Sequence, residues 1–166
     1  MKRIPLILLF WALLAAPAAA QEYRFGVSLN YNQFFAPNGS STPLILPLQL
    51  HGDFPLLPKL ALRVNLLPYI VINEVTADLK FSPLEGNAVS PYVLGGAGVL
   101  ITFFPFVDAP SSASFIAPLL EIGAGVDIAW SSLYTVFVEA RGQMIFRGSS
   151  PAYWLMISVG VAWWRV

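Results

Sequence analysis

The chain has 166 residues, of which 57% are hydrophobic and only 11% are charged, whereas an average globular domain is about 25% charged. These proportions exclude a disordered chain, which needs low hydrophobicity and high charge. Nine Lys and Arg residues against nine Asp and Glu residues leave no basic excess, which excludes electrostatic binding of nucleic acid. The absence of cysteine excludes a disulfide scaffold. A mean hydropathy of +0.67 in so short a chain points to lipid.

The first twenty residues have the pattern of a secretory signal peptide. Lys2 and Arg3 form a basic start, residues 4–14 are apolar, and the segment ends in three alanines at 18–20. This order predicts cleavage between Ala20 and Gln21 and a mature domain of residues 21–166. A retained membrane anchor is the alternative, but the apolar run is short for a membrane span.

No part of the mature sequence predicts a transmembrane helix. The uncharged windows 25–52 and 86–107 are long enough, but both are interrupted by proline and glycine, which break helices. Instead, apolar residues alternate with polar or small ones in eight segments. This period of two predicts eight β-strands, at residues 23–32, 44–51, 60–66, 74–81, 92–103, 120–130, 136–144 and 153–163.

Alternation alone does not distinguish a secreted β-sandwich from a membrane β-barrel, in which the apolar face points outward. Two features favour the barrel. The mature chain has ten Tyr and Trp residues near the predicted strand ends, as in the aromatic girdles of membrane barrels; they are Tyr23, Tyr31, Tyr69, Tyr92, Trp130, Tyr134, Tyr153, Trp154, Trp163 and Trp164. The opposite face is rich in Gly, Ser and Ala with isolated charges, which suits a narrow packed lumen. The sandwich remains the alternative.

The pattern resembles the small eight-stranded outer-membrane β-barrels such as outer membrane proteins A, X and W. The resemblance rests on the signal peptide, the eight alternating segments, the stretch from Pro91 to Gly98 and the aromatic last strand. It implies an all-β, antiparallel up-and-down barrel in the outer membrane of a diderm bacterium. The implied partners are outer-membrane lipid and the barrel-assembly machinery, and the implied state is a monomer. The implied periplasmic turns lie near 52–59, 82–91 and 131–134, and the implied outer loops near 34–43, 67–73, 104–117 and 147–152.

The sequence offers little for catalysis, and we predict that the protein is not an enzyme. His51 is the single histidine, and the strand count puts it at the periplasmic end of the second strand, in a polar tip with Gln49 and Asp53. A Ser–His–Asp triad could be drawn from it, but no spacing fixes such a geometry. One histidine and scattered carboxylates give no metal-ligand spacing, so we predict neither a metal site nor a cofactor.

Charged residues on the predicted inward face suggest a lumenal network. Charges gather inside because a lipid-facing Arg or Lys at the midplane costs roughly 2–4 kcal/mol. The predicted network consists of Arg63, Asp78, Glu121, Glu139 and Arg141. We expect Arg63 to pair with Asp78, and Arg141 to lie between Glu121 and Glu139. Other predicted inward charges are Arg24, Glu74, Lys80 and Asp127. Paired charges would close an eight-stranded lumen, which is only wide enough for side chains; a gated pore or a binding cavity is the alternative.

Three functions remain open from the sequence. The first is a structural or surface-interaction role in the outer membrane. The second is passage or binding of small hydrophobic molecules, in the manner of outer membrane protein W, for which the apolar stretches 66–72 and 103–107 near the outer rim are suited. The third is a lipid-modifying enzyme, for which His51 is the only candidate residue. No nucleic-acid partner is expected.

Overall fold

The computed structural model describes residues 23–35, 41–69, 72–102, 115–147 and 150–165. These residues form eight β-strands: β1 (Tyr23–Phe35), β2 (Ser41–Leu57), β3 (Leu60–Pro68), β4 (Ile72–Phe81), β5 (Val89–Thr102), β6 (Phe115–Ala129), β7 (Tyr134–Arg147) and β8 (Ser150–Arg165). The proposed signal peptide, its cleavage site at Ala20 and Gln21, and the apolar stretch 103–107 lie outside the described residues. No helix in the described segments is long and apolar enough to cross a membrane.

The eight strands form one closed antiparallel barrel. Each strand pairs with its neighbour in sequence, and β8 pairs with β1 to close the ring. The predicted fold is therefore confirmed. Short connections at 58–59, 82–88 and 130–133 lie at one end of the barrel together with Tyr23 and Arg165, which are register partners. We call this end the turn end and the opposite end the loop end.

The first turn is much shorter than the sequence suggested. The resemblance implied a turn near 52–59, but β2 continues to Leu57 with a register shift between Pro55 and Leu57, the kind of irregularity at which a strand accepts proline. The strand therefore carries His51 and Asp53 inside the barrel, where both are buried. Their predicted position in a polar tip at the end of the strand is wrong. Likewise, β5 begins at Val89, so the second turn covers 82–88 rather than 82–91.

The barrel wall is apolar outside and polar inside. Outward-facing aliphatic side chains are exposed on every strand, as shown by Leu29, Leu48, Val64, Leu79, Val93, Ile122, Val138 and Val159. Ile122 is 73% exposed, whereas Glu121 beside it is buried. Successive side chains of a strand point to opposite faces, so one strand produces both surfaces. This arrangement is the reverse of a soluble sandwich.

Two aromatic residues assigned to the outer girdles face the lumen instead. Tyr92 on β5 and Trp154 on β8 are 2% and 3% exposed. Their neighbours Val93 and Tyr153 point outward, so the alternation of each strand places Tyr92 and Trp154 inside. Proximity to a strand end was therefore not sufficient to identify a girdle residue.

The glycines of β5 settle the facing of that strand, which the sequence left open. Gly96 and Gly98 share the inward parity of the buried Tyr92. A Cβ atom on Gly96 would overlap the backbone of Ala77 and Asp78 on the adjacent strand. The small residue therefore allows close strand packing on the lumenal side.

Candidate functional site in the barrel lumen

The described lumen contains ten buried charged side chains. Four are cations, namely Arg24, Arg63, Lys80 and Arg141, and six are carboxylates, namely Asp53, Glu74, Asp78, Glu121, Asp127 and Glu139. Every inward charge expected from the sequence is among them. Asp53 was missed because the second strand was predicted to end at residue 51 and the implied turn near 52–59 includes Asp53. The signal that could have found it is the continued alternation of Gln49, His51 and Asp53 with apolar or small residues.

Asp53 is the centre of a charge cluster near the turn end. Its carboxylate accepts hydrogen bonds from Arg24 at 2.5 Å, from Arg63 at 2.5 Å and from Lys80 at 3.3 Å. Asp127 adds a second carboxylate, since its Oδ2 accepts from Arg24 at 2.6 Å and from Lys80 at 2.7 Å. Asp53 therefore contacts three cations, and Asp127 contacts two of the same three.

Tyr92 connects this cluster to the middle of the lumen. The ammonium of Lys80 lies 4.0 Å from the centre of the Tyr92 ring, which is a cation–π distance. The Tyr92 hydroxyl donates to Glu139 at 2.7 Å, and Arg63 donates to the same carboxylate at 2.6 Å. Because its hydroxyl group is hydrogen-bonded, the buried Tyr92 side chain fills part of the lumen without leaving its polar atom unsatisfied.

The expected ion pair between Arg63 and Asp78 is not formed. Arg63 is the register partner of Asp78 on β4 and also of Asp53 on β2, and its side chain turns to Asp53 and Glu139. Asp78 instead accepts from Asn65 at 2.6 Å and lies 3.8 Å from Arg141. The prediction failed because Asp53 had been placed outside the strand, which left Asp78 as the apparent partner.

Arg141 contacts the carboxylates in the middle of the lumen. Its Nε donates to Glu139, its Nη1 lies 3.5 Å from Glu121, and its Nη2 donates to Asn65 at 3.0 Å. Glu74, on the loop-end side, is different. The amide of Gln143 donates to it at 2.8 Å and also to Glu121 at 2.8 Å, but within the described residues Glu74 forms no salt bridge and its Oε2 has no partner.

The loop end of the lumen is apolar. We call the buried residues there the apolar cluster; they are Leu67, Leu100, Ala117, Leu119, Ile145 and Trp154, with Phe34, Tyr69 and Ile72 packed against them. Among the described side chains, residues of β1 and of β3 to β8 contribute to it. The rings of Phe34 and Trp154 meet edge to face, with centroids 6.3 Å apart. The lumen therefore changes from charged to apolar from the turn end to the loop end.

Comparison with known proteins identifies the architecture. No protein-family model matches the sequence, and no curated protein matches it. Among solved structures, the Neisserial surface protein A has a TM-score of 0.66 at 11% identity, with 85% of this chain and 96% of that chain covered. The N-terminal barrel of Pseudomonas aeruginosa OprF has a TM-score of 0.59 at 17% identity, covering 87% and 100%. The fold is that of the small eight-stranded outer-membrane β-barrels.

A third barrel of this fold is Ail, the attachment invasion locus protein of Yersinia pestis. It has a TM-score of 0.57 at 14% identity, with 87% of this chain and 98% of that chain covered. Identities this low establish the shared fold only. The lumen of the present barrel has therefore to be interpreted from its own residues.

His51, the candidate residue for catalysis, lies inside the barrel and is buried. The ring of His51 packs edge to face on Phe137 with centroids 4.9 Å apart. Its Nε2 atom has no hydrogen-bond partner among the described residues and faces the position where Gly26 lacks a side chain. No group of three or more His, Cys, Asp or Glu side chains in the described segments could hold a metal ion. The histidine therefore serves packing in this geometry.

Proposed function

We propose that the chain is a small integral outer-membrane protein with a structural or surface-interaction role and without catalytic activity, and that its lumen is closed to ions. The observation that supports this best is the filling of the lumen by paired charges near the turn end and by the apolar cluster at the loop end. An eight-stranded barrel encloses little more space than its side chains occupy.

In the proposed orientation the turn end faces the periplasm and the loop end faces outward. The exposed aliphatic belt lies in the hydrocarbon of the membrane, where charged side chains would be costly. We infer that the signal peptide is removed before Gln21, that the barrel-assembly machinery inserts the chain, and that the barrel is a monomer. The outer loops would then carry any contact with other molecules, as the names of the surface protein and the attachment protein with this fold suggest.

A second candidate function is the binding or passage of small hydrophobic molecules. The apolar cluster supports it, because Leu67, Tyr69 and Ile72 come from the apolar stretch at the outer rim. A hydrophobic molecule would have to displace part of this packed cluster to enter the lumen. We therefore place this function second.

Planar-bilayer recording on the refolded mature chain tests the proposal. We expect no steady ion conductance above that of the protein-free bilayer, because paired charges and the apolar cluster occupy the described part of the lumen. The positive control is a large-pore porin refolded in the same detergent, and this porin must show steady ion conductance. Stable single-channel steps from the parent protein would contradict a closed lumen and favour the passage function.

A further inference from the structure

A cavity opens at the turn end of the barrel, below the charge cluster. Its volume is about 160 Å³, which is room for about five water molecules at roughly 30 Å³ each. Its charged lining is balanced, with three cations and three carboxylates: Arg24, Lys59, Lys80, Asp53, Glu85 and Asp127. We call it the turn-end cavity.

The charges of this cavity differ in whether they are already paired. Four of the charged side chains are buried and form the floor of the cavity. They form ion pairs with one another, in which Asp53 and Asp127 each contact Arg24 and Lys80. Lys59 and Glu85 lie in the exposed turns, and neither forms a salt bridge within the described part of the chain. The rim therefore offers one cation and one anion to a ligand.

Hydrogen bonds hold the rim in place. The amide of Ser82 donates to the carbonyl of Lys59 at 2.8 Å and so ties the two turns together. The hydroxyl of Ser90 bonds to the carbonyls of Leu84 and Asn87 at 2.9 and 3.1 Å. These contacts fix both turns before any ligand arrives, which lowers the entropic cost of binding.

Lys59 has a backbone conformation that lysine seldom adopts. Its φ angle is +68°, and it is the second residue of the two-residue connection between β2 and β3. Pro58 restricts φ at the first position to negative values, so the turn needs a positive φ at the second, where glycine is preferred. A strained backbone position at the mouth of a cavity suggests a functional reason for the residue that occupies it.

We propose that the turn-end cavity binds a small zwitterion of amino-acid size, with the ligand carboxylate on Lys59 and the ligand amine on Glu85. A simple anion would meet Glu85 and the carboxylates of the floor, and a simple cation would meet Lys59 and the floor cations. A molecule with both charges satisfies the rim without disturbing the paired floor. The proposal does not depend on a closed lumen, because the cavity lies outside the apolar cluster.

The test is ligand titration of the full mature chain, refolded in detergent micelles and followed by NMR shifts of backbone amides. The probes are glycine, acetate and ethylammonium at equal ionic strength. We expect saturable shifts with glycine that are centred on residues 58–60 and 82–88, and at least tenfold weaker binding of the two single-charge probes. Absence of saturable shifts, or equal binding of acetate and glycine, would overturn the proposal.

Variants of the rim separate binding from folding. Lys59→Gly should relieve the strained turn and leave the urea midpoint unchanged or raised, yet weaken glycine binding at least tenfold. Glu85→Gln should weaken glycine binding by a comparable factor, and Lys59→Arg should retain most of the affinity for glycine. Gly142→Ala, on the outer wall where an added Cβ meets no atom within 4 Å, is the control with unchanged binding. An unchanged affinity of the Lys59→Gly variant for glycine would contradict the proposal that Lys59 binds the ligand carboxylate.

Discussion

Asp53→Asn should destabilise the barrel by about 3–5 kcal/mol, because loss of one partner from a buried ion pair leaves uncompensated charge. The substitution keeps the size of the side chain but removes the carboxylate that, among the described residues, contacts Arg24, Arg63 and Lys80 together. Asp127 can still neutralise two of these cations, whereas Arg63 retains only Glu139. Urea unfolding of the refolded protein in liposomes, followed by tryptophan fluorescence, measures the loss.

Glu74→Gln is the matched control for that substitution. Glu74 is as deeply buried as Asp53 but forms no salt bridge within the described residues, and glutamine can still accept the hydrogen bond from Gln143. Removing a buried charge that has no partner avoids its desolvation cost. We expect the free energy of unfolding to stay within about 1 kcal/mol of the parent or to rise. Equal losses in the two variants would show that ion pairing is not what distinguishes these carboxylates.

Trp154→Ala should have a comparably large effect at the loop end. Truncation of a buried aromatic side chain typically costs about 3–5 kcal/mol, and Trp154 is central to the apolar cluster beside Phe34. The resulting space also removes part of the apolar closure of the lumen. We expect lower stability in urea and, in planar bilayers, brief conductance events that the parent lacks.

Tyr153→Ala provides the comparison for the neighbouring position. Tyr153 faces outward and is 49% exposed, so its loss leaves the lumen filled. Its cost should be smaller than that of Trp154→Ala, and no conductance should appear. If both variants were equally stable and equally silent, the apolar cluster would not be the barrier at the loop end.

The alternation of the sequence predicted the strands, and the aromatic residues near the strand ends together with the small opposite face favoured the barrel over the sandwich. In a membrane barrel the outer face must be apolar and the inner face small or polar. Apolar residues therefore alternate with small or polar ones along a strand, as in residues 120–130. The closed eight-stranded barrel follows from eight such segments. Gly96 could be assigned to the lumen only after the parity of Tyr92 and Leu94 was known, because both faces of β5 are small or apolar in its middle.

The pairing of the lumenal charges could not be predicted from the strands alone. Arg63 has a carboxylate beside it on both neighbouring strands, and the long arginine side chain can reach either one. The choice depends on the full set of competing partners, and Asp53 had been assigned to the turn near 52–59 that the resemblance implied. The apolar cluster could not be predicted either, since its described members come one or two at a time from seven different strands.

The central claim is that the apolar face of the barrel meets lipid and the polar face lines a packed lumen. Neighbouring positions on β8 test it most directly, since Ile157 is 44% exposed and Ser158 is fully buried. In liposomes, a fluorophore on Ile157→Cys should be quenched by spin-labelled lipid, whereas Ser158→Cys should resist water-soluble maleimide until urea unfolds the chain. Rapid maleimide labelling of Ser158→Cys in the folded protein, together with unquenched fluorescence at Ile157→Cys, would contradict the account.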